Sequence, residues 1–420
     1  MPSAHLLRPS HADLLAPPAR RRRGSGFWHR QVVAALAGLS EGLLSVRAEE
    51  GGGVVFGRPA ADALTAQVTV HRSRFWRRVA LGGSLGAAEA YADGDWDADD
   101  LTAAIRLFVR NHQALSSMEG PLTRATQVAA GLRHLLRRNT RDGARRNIAD
   151  HYDLGDEFFA RVLDRTLSYS CALFERPEAS LEEASVAKLE ALCRRLRLAP
   201  GDHLLEIGTG WGGLALHAAG RYGCRVTTTT ISRNQHAVAS ARVRAAGLED
   251  RVTVLLRDYR DLEGTYDKLV SVEMIEAVGA EFYRTFFAKC ASLLRADGLL
   301  ALQAITLPDG EFARARREVD FIKRWIFPGS CIPSTTALLQ AATAASDLRL
   351  RHLDEIGPHY APTLAAWRRN AEAAAAEGVR PLDDARFRRL WRYYLCYCEA
   401  GFSERYLGDV QLLFARPRAG

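Results

Sequence analysis

The chain has 420 residues, 47% of them hydrophobic and 25% charged, with a formal charge of +8 at pH 7. Its length exceeds what one hydrophobic core usually serves and predicts two domains; its composition excludes a disordered or fibrous chain, and no apolar run approaches the roughly 18 residues of a membrane span. Seven scattered cysteines make neither a disulfide framework nor a zinc set, which predicts a reducing cytoplasm, and the arginine excess points to an anionic partner, phospholipid or nucleic acid, or only to codon bias.

Residues 1–25 carry Pro, Ser and Arg without periodicity and read as disordered. Four arginines, Arg20 to Arg23, precede a weak apolar segment that lacks a small-residue cleavage site. The spacing Val32, Leu36, Leu39, Leu43 therefore predicts an amphipathic helix rather than a secretory signal. Residues 26–120 read as a small α+β domain, with strands at 53–58 and 66–72 and two helical stretches broken at Asp93-Gly94-Asp95. The acidic run Asp93, Asp95, Asp97, Asp99, Asp100 lacks the closing glutamate of a calcium loop. Asp99-Asp100 before an apolar stretch predicts a helix cap, and no metal site is expected. Residues 121–147 hold seven arginines against one aspartate and a leucine stripe, which predicts a basic helical linker, either solvated or lying on an anionic membrane.

From residue 148 to 420 the pattern alternates. Apolar strands at 204–208, 224–232, 251–258, 267–275 and 298–306 are separated by helical stretches, which predicts an α/β, doubly wound, mostly parallel Rossmann-like sheet. Ligands of such sheets bind beyond the carboxyl ends of the strands. The first strand runs into LLEIGTGWGG, whose glycines let the backbone take positive φ and approach a ligand, ahead of a helix that presents free N–H groups. An ordinary tight turn reads the same way. A nicotinamide site would place an acid about 20 residues on, yet none occurs between Gly208 and Leu248. Glu206, just before the turn, suits the cationic S-adenosyl-L-methionine better.

Six stretches occur in order: HYDLGDEFFARVLDRTLSYSCALF (151–174), EIGTGWGG, TTTISRNQ (228–235), VSVEMIEAVG (271–279), WIFPGSCIPS (325–334) and YYLCYCEAGF (393–402). Together they resemble the cyclopropane-fatty-acyl-phospholipid synthase family, with its mycolic-acid and fatty-acid C-methyltransferases, over roughly residues 148–416. AEAYADGDWDADDLT is also similar to the small N-terminal domain of the bacterial phospholipid enzymes.

The resemblance implies a class I methyltransferase that moves a methyl(ene) carbon from S-adenosylmethionine to the double bond of an unsaturated phospholipid acyl chain, through a carbocation. By the same likeness the donor would touch Tyr169, Ser170, the turn Leu204, Leu205, Glu206, Ile207, Gly208, Thr209, Gly210, Trp211, Gly212, the segment Thr230, Ile231, Ser232, Arg233, Asn234, Gln235, and Asp258 with Tyr259. Thr230 and Gln235 would replace the missing ribose acid with neutral hydrogen bonds. Aromatic faces stabilise a cation without trapping it; Tyr169, Tyr360 and Trp325 are candidates, with core packing the simpler reading of Trp325.

The family holds a bicarbonate ion as base. Carried over, its binders are Cys171, Glu276, Tyr360 and Cys398, the cysteines mainly through backbone N–H groups. Three positions depart from the family pattern. Gln303 stands where a histidine is expected, Ala277 follows the catalytic glutamate in place of another, and Thr209 replaces a cysteine. These features resemble a subgroup that makes methyl- or methylene-branched products. Loss of a proton from the transferred methyl closes a ring, whereas loss from a neighbouring carbon leaves a branched alkene. The implied partner is unsaturated phospholipid at the inner membrane surface, reached peripherally from the cytoplasm. Whether the N-terminal domain clamps the membrane or builds a homodimer stays open. Two other readings stand beside this one: a methyltransferase for a small alkene or nucleic acid, for which no base-methylating motif or nucleic-acid module is present, and a lipid-binding relative without activity.

Overall fold

A computed structural model of the protein describes residues 26–48, 52–112 and 154–417. The expectations for residues 1–25 and for the basic linker at 121–147 lie outside the described residues. Contacts divide the chain into two compact units, Met1–Thr126 with Arg389–Ala400, and Gln127–Arg388 with Gly401–Gly420.

In the first unit, β1 (Gly42–Ala48), β2 (Val54–Arg58), β3 (Thr65–Val70) and β4 (Trp96–Ala98) form a sheet in the order β2-β1-β3-β4. β1 lies parallel to β3 and antiparallel to β2. The predicted helical stripe through Leu43 is corrected here. The helix ends at Leu36, and Leu43 sits on β1. Gly42 turns the chain at φ 84°, and the buried run from Gly42 to Val46 then gains ladder partners on both sides, a pairing no helix offers. Helices at Arg74–Ala92 and Leu101–Arg110 flank the Asp93–Asp95 break. Asp95 is fully buried and held by Arg74 at 2.7 Å and Arg78 at 3.0 Å. Asp100 caps the second helix, accepting from the Ala103 amide at 2.9 Å.

The second unit is built on a seven-stranded sheet in the order β10-β11-β9-β8-β5-β6-β7. Its strands are β5 (His203–Ile207), β6 (Arg225–Thr230), β7 (Val252–Leu256), β8 (Tyr266–Val272), β9 (Leu294–Thr306), β10 (Arg349–Glu355) and β11 (Gly408–Ala415). β5 to β9 pair in parallel, while β11 runs antiparallel to both β9 and β10. Successive residues of a strand face opposite sides, and both sides are buried. Leu205, Leu269 and Leu300 pack with the helices Tyr283–Leu293 and Thr335–Ala345. Leu204, Val270 and Ala301 pack with Leu181–Arg195 and Gly213–Tyr222 on the other side. Double coverage explains why these strands read as continuous apolar runs.

β8 ends three residues before the end of the expected 267–275. It stops at Val272 because Glu273 takes φ 47°, in the left-handed region that L side chains rarely adopt. Among the described residues no helix is long and apolar enough to cross a membrane.

Candidate active site

The glycine turn follows β5 with φ of 103° at Gly208, 52° at Gly210 and 86° at Gly212. A Cβ on Gly210 would meet nothing within 4 Å, so the turn is open at its apex, whereas one on Gly213 would lie 2.5 Å from the Thr166 carbonyl oxygen. Gly210 therefore faces space for a ligand and Gly213 is needed for packing. Thr209 accepts from the Thr228 hydroxyl at 2.7 Å. Beneath the turn Glu206 is buried, and its Oε2 has no hydrogen-bond partner. Burial pushes its carboxyl up to about 8. Leu204, Leu205 and Ile207 are core residues of β5, so their side chains position the turn and only their backbone lies along it.

Thr230 ends β6 and donates to Gln235 Oε1 at 2.8 Å. Ile231 leads to Ser232, which caps the helix of Arg233, Asn234 and Gln235 by accepting from the Gln235 amide at 3.2 Å. Asn234 donates to Asp156 at 2.6 Å. Asp258, after β7, accepts from Arg260 Nε at 2.8 Å and from its NH2 at 2.6 Å, and Tyr259 is buried beside it. Ser170 accepts from the Lys188 amine at 2.9 Å.

A second cluster gathers where β8, β9 and β11 meet, and its centre is Glu273. Its Oε1 accepts from the Cys171 amide at 2.8 Å and from Gln303 Nε2 at 2.7 Å, and its Oε2 accepts from the Tyr360 hydroxyl at 2.6 Å. Gln303 is fixed in turn, because its Oε1 accepts from Gln411 Nε2 at 2.9 Å while its Nε2 also reaches Asp409 Oδ2 at 3.3 Å. Register explains the meeting: Gln303 pairs with Val272 on one side and with Gln411 on the other. Asp409 is fully buried, and burial followed by the neighbouring Glu273 holds its carboxyl well above the usual range. Burial likewise pushes Glu276 up to about 8, with Glu273 adding to the shift; its Oε1 accepts from the Ile305 amide at 2.6 Å and its Oε2 has no partner. The buried Cys171 thiol is pushed far up, first by desolvation and then by Asp409 and Glu273, so it is no nucleophile.

Tyr360 stacks on Phe402 with centroids 4.4 Å apart and meets Trp367 edge-on at 6.1 Å. Trp367 in turn contacts Tyr169 at 5.0 Å. An aromatic wall thus joins the carboxylate cluster to the residue beside Ser170. Trp325 is elsewhere engaged, with the guanidinium groups of Arg324 and Arg386 over its ring at 5.6 and 5.2 Å. Cys171, Tyr360 and Gln303 are brought together around one side chain, and Glu276 adjoins it. Cys398 is half-buried on the helix Ala385–Ser403, in the stretch Arg389–Ala400 that belongs to the first unit.

Sequence reasoning missed Glu273, Asp409, Gln411 and Lys188. Each left a trace. Asp409 and Gln411 alternate onto one face of an otherwise apolar strand, and Lys188 shares the helical stripe of Ala184 and Leu192 while being only 2% exposed. Buried polar side chains at such positions need partners, and that need points to a site.

The model of the mycolic acid cyclopropane synthetase family matches residues 139–412. Tuberculostearic acid methyltransferase UfaA1 of Mycobacterium tuberculosis is 38% identical over 85% of this chain and 85% of its own. The cyclopropane-fatty-acyl-phospholipid synthase of Escherichia coli K12 is 36% identical over 84% of this chain and 88% of its own. Among solved structures, the Mycobacterium tuberculosis cyclopropane synthase MmaA2 aligns with TM-score 0.60 at 30% identity, covering 65% of this chain and 98% of that one. Mycolic acid cyclopropane synthase CmaA1, solved with SAH (S-adenosylhomocysteine) and CTAB, aligns with TM-score 0.60 at 31% identity, covering 65% and 98%.

Proposed function

The chain belongs to the mycolic acid cyclopropane synthetase family, and from that premise we propose that it transfers one carbon from S-adenosylmethionine to the double bond of an unsaturated phospholipid acyl chain. One observation carries the reading. Past the carboxyl ends of β5 and β8 lie an open glycine turn and a half-buried carboxylate, Glu273, that the aromatic wall meets through the Tyr360 hydroxyl. Donor, cation-tolerant lining and proton acceptor are what alkene methylation needs.

The turn fits the donor. Gly210 leaves room that a Cβ would fill, and the unpartnered Glu206 Oε2 offers an acceptor beneath it. When bound, S-adenosylmethionine supplies an electrophilic methyl group. The alkene π pair forms the new C–C bond, the S–CH3 bond breaks, and the positive charge passes to the acyl chain. The rings of Tyr169, Trp367 and Tyr360 stabilise that charge without capturing it. Losing one proton then ends the reaction.

A bicarbonate ion does not fit the donors present. The Cys171 amide, Gln303 Nε2 and Tyr360 hydroxyl that would hold it are all engaged by Glu273, so no step is routed through it. The similarity to an enzyme named a tuberculostearic acid methyltransferase, together with Gln303, Ala277 and Thr209, supports a branched product over a ring. The protein would meet its lipid peripherally, at a membrane surface.

The test is purified protein with S-adenosylmethionine and dioleoylphosphatidylglycerol vesicles. The expected product is an acyl chain heavier by one CH2 unit. Failure to consume the donor with any unsaturated phospholipid would overturn the proposal.

A further inference from the structure

We propose that Glu273 is the general base of this reaction, a carboxylate built into the chain in the place of a bound anion. The inference rests on the reading above and names the acceptor that reading requires.

Position is the first argument. Glu273 is the first residue past the carboxyl end of β8, where a parallel sheet presents its functional groups. The hydrogen bonds are the second. Three donors converge on its two oxygens at 2.6 to 2.8 Å, which suits an ionised carboxylate, and the Asp409 carboxyl beside it is raised first by burial and then by that neighbouring charge. The Gln303 amide is oriented by Gln411, which donates to its Oε1 at 2.9 Å.

Backbone geometry is the third argument. A glutamate at φ 47° is strained, and strain in a non-glycine residue persists where the surroundings enforce it, most often at functional sites. Packing does not demand a carboxylate there, since Glu273 is only half-buried.

Its neighbours make poor alternatives. Glu276 and Asp409 are buried, each with a partnerless oxygen, and burial pushes Glu276 up to about 8 and Asp409 well above the usual carboxylate range. A protonated carboxyl cannot accept the proton. The step balances simply. Glu273 takes H+ from a carbon beside the cationic centre, that C–H electron pair becomes the new C–C π bond, and the side chain becomes a neutral carboxylic acid. No further reactant is required.

The experiment uses the full chain, the same vesicles, and buffer stripped of carbon dioxide. Wild-type protein should turn over at its full rate without bicarbonate, and added bicarbonate should leave the rate unchanged. Glu273→Gln should lose roughly 100- to 10,000-fold in kcat, the usual worth of a general base, while its affinity for S-adenosylhomocysteine stays at the wild-type value. Glu273→Gly relieves the positive φ and leaves the three donors free. Its activity should return as formate or bicarbonate is added, an effect that a purely structural glutamate would not produce. The proposal is overturned if wild-type activity vanishes without bicarbonate and returns with it, or if Glu273→Gln turns over normally. Absence of any wild-type turnover would instead remove the parent reading, and this one with it.

Discussion

The Tyr360 hydroxyl donates to Glu273 Oε2 at 2.6 Å, joining residues 87 positions apart in the chain. Tyr360 thereby does two things: its ring lines the aromatic wall and its hydroxyl orients the carboxylate. Removing only the hydroxyl separates them. Tyr360→Phe keeps the stack on Phe402 and loses one hydrogen bond to a charged group, worth about 1.5–3 kcal/mol. We expect kcat to fall roughly 10- to 100-fold with S-adenosylhomocysteine affinity unchanged in calorimetry. Equal loss in both would place Tyr360 in donor binding.

Gly210 and Gly213 should fail differently. Alanine at 213 would put its Cβ 2.5 Å from the Thr166 carbonyl oxygen, so its cost falls on stability, on the order of 1–3 kcal/mol. Alanine at 210 meets open space but sits at φ 52°, which costs about 1 kcal/mol of backbone strain, and it intrudes where the donor would lie. Denaturant midpoints should drop mainly for Gly213→Ala. Donor affinity should drop mainly for Gly210→Ala. The reverse pattern would assign the open face of the turn wrongly.

Stability should fall on the alkaline side. Burial pushes Glu206 and Glu276 up to about 8 in the folded chain, above the ordinary carboxylate value of 4.5. The folded chain thus binds more protons than the unfolded chain between those limits, and the stability these groups contribute is full below the lower limit and lost as pH rises through the upper one. Unfolding in urea at about pH 6 and about pH 8.5 should show this decline, and Glu206→Gln or Glu276→Gln should flatten it. A slope unchanged in both variants would mean that neither carboxyl is protonated in the folded state.

Much of this architecture is legible in the sequence. Three of the parallel strands, β5, β8 and β9, announce themselves because burial on both faces leaves apolar runs, β6 and β7 through their β-branched residues, and the glycine turn because glycine tolerates its positive φ. β1 was hidden because Leu43 and Leu44 fit a helical stripe equally well until pairing with β2 and β3 decided the matter. β10 escaped notice for the opposite reason: it is mostly exposed and carries Arg349, Arg351 and His352. At the site, likeness to a family led to Cys171, Tyr360 and Gln303, yet placed the carboxylate at Glu276. Glu273 falls inside the expected strand 267–275 and outside the actual one. Whether a strand ends one residue earlier or later depends on a single φ, and local sequence does not encode it. Cross-strand register, which sets Gln303 between Val272 and Gln411, is likewise a tertiary property.

The most direct measurement follows the methyl carbon itself. Protein is incubated with S-adenosylmethionine labelled with carbon-13 in its methyl group and with dioleoylphosphatidylglycerol vesicles, and the released fatty acids are weighed by mass spectrometry before and after mild catalytic hydrogenation. The account predicts one labelled CH2 unit added to each reacted chain, in a product that still takes up hydrogen, as a branched alkene does. Label that enters the chain without hydrogen uptake would replace the branch by a ring, and label that never enters the chain would contradict acyl-chain methylation altogether.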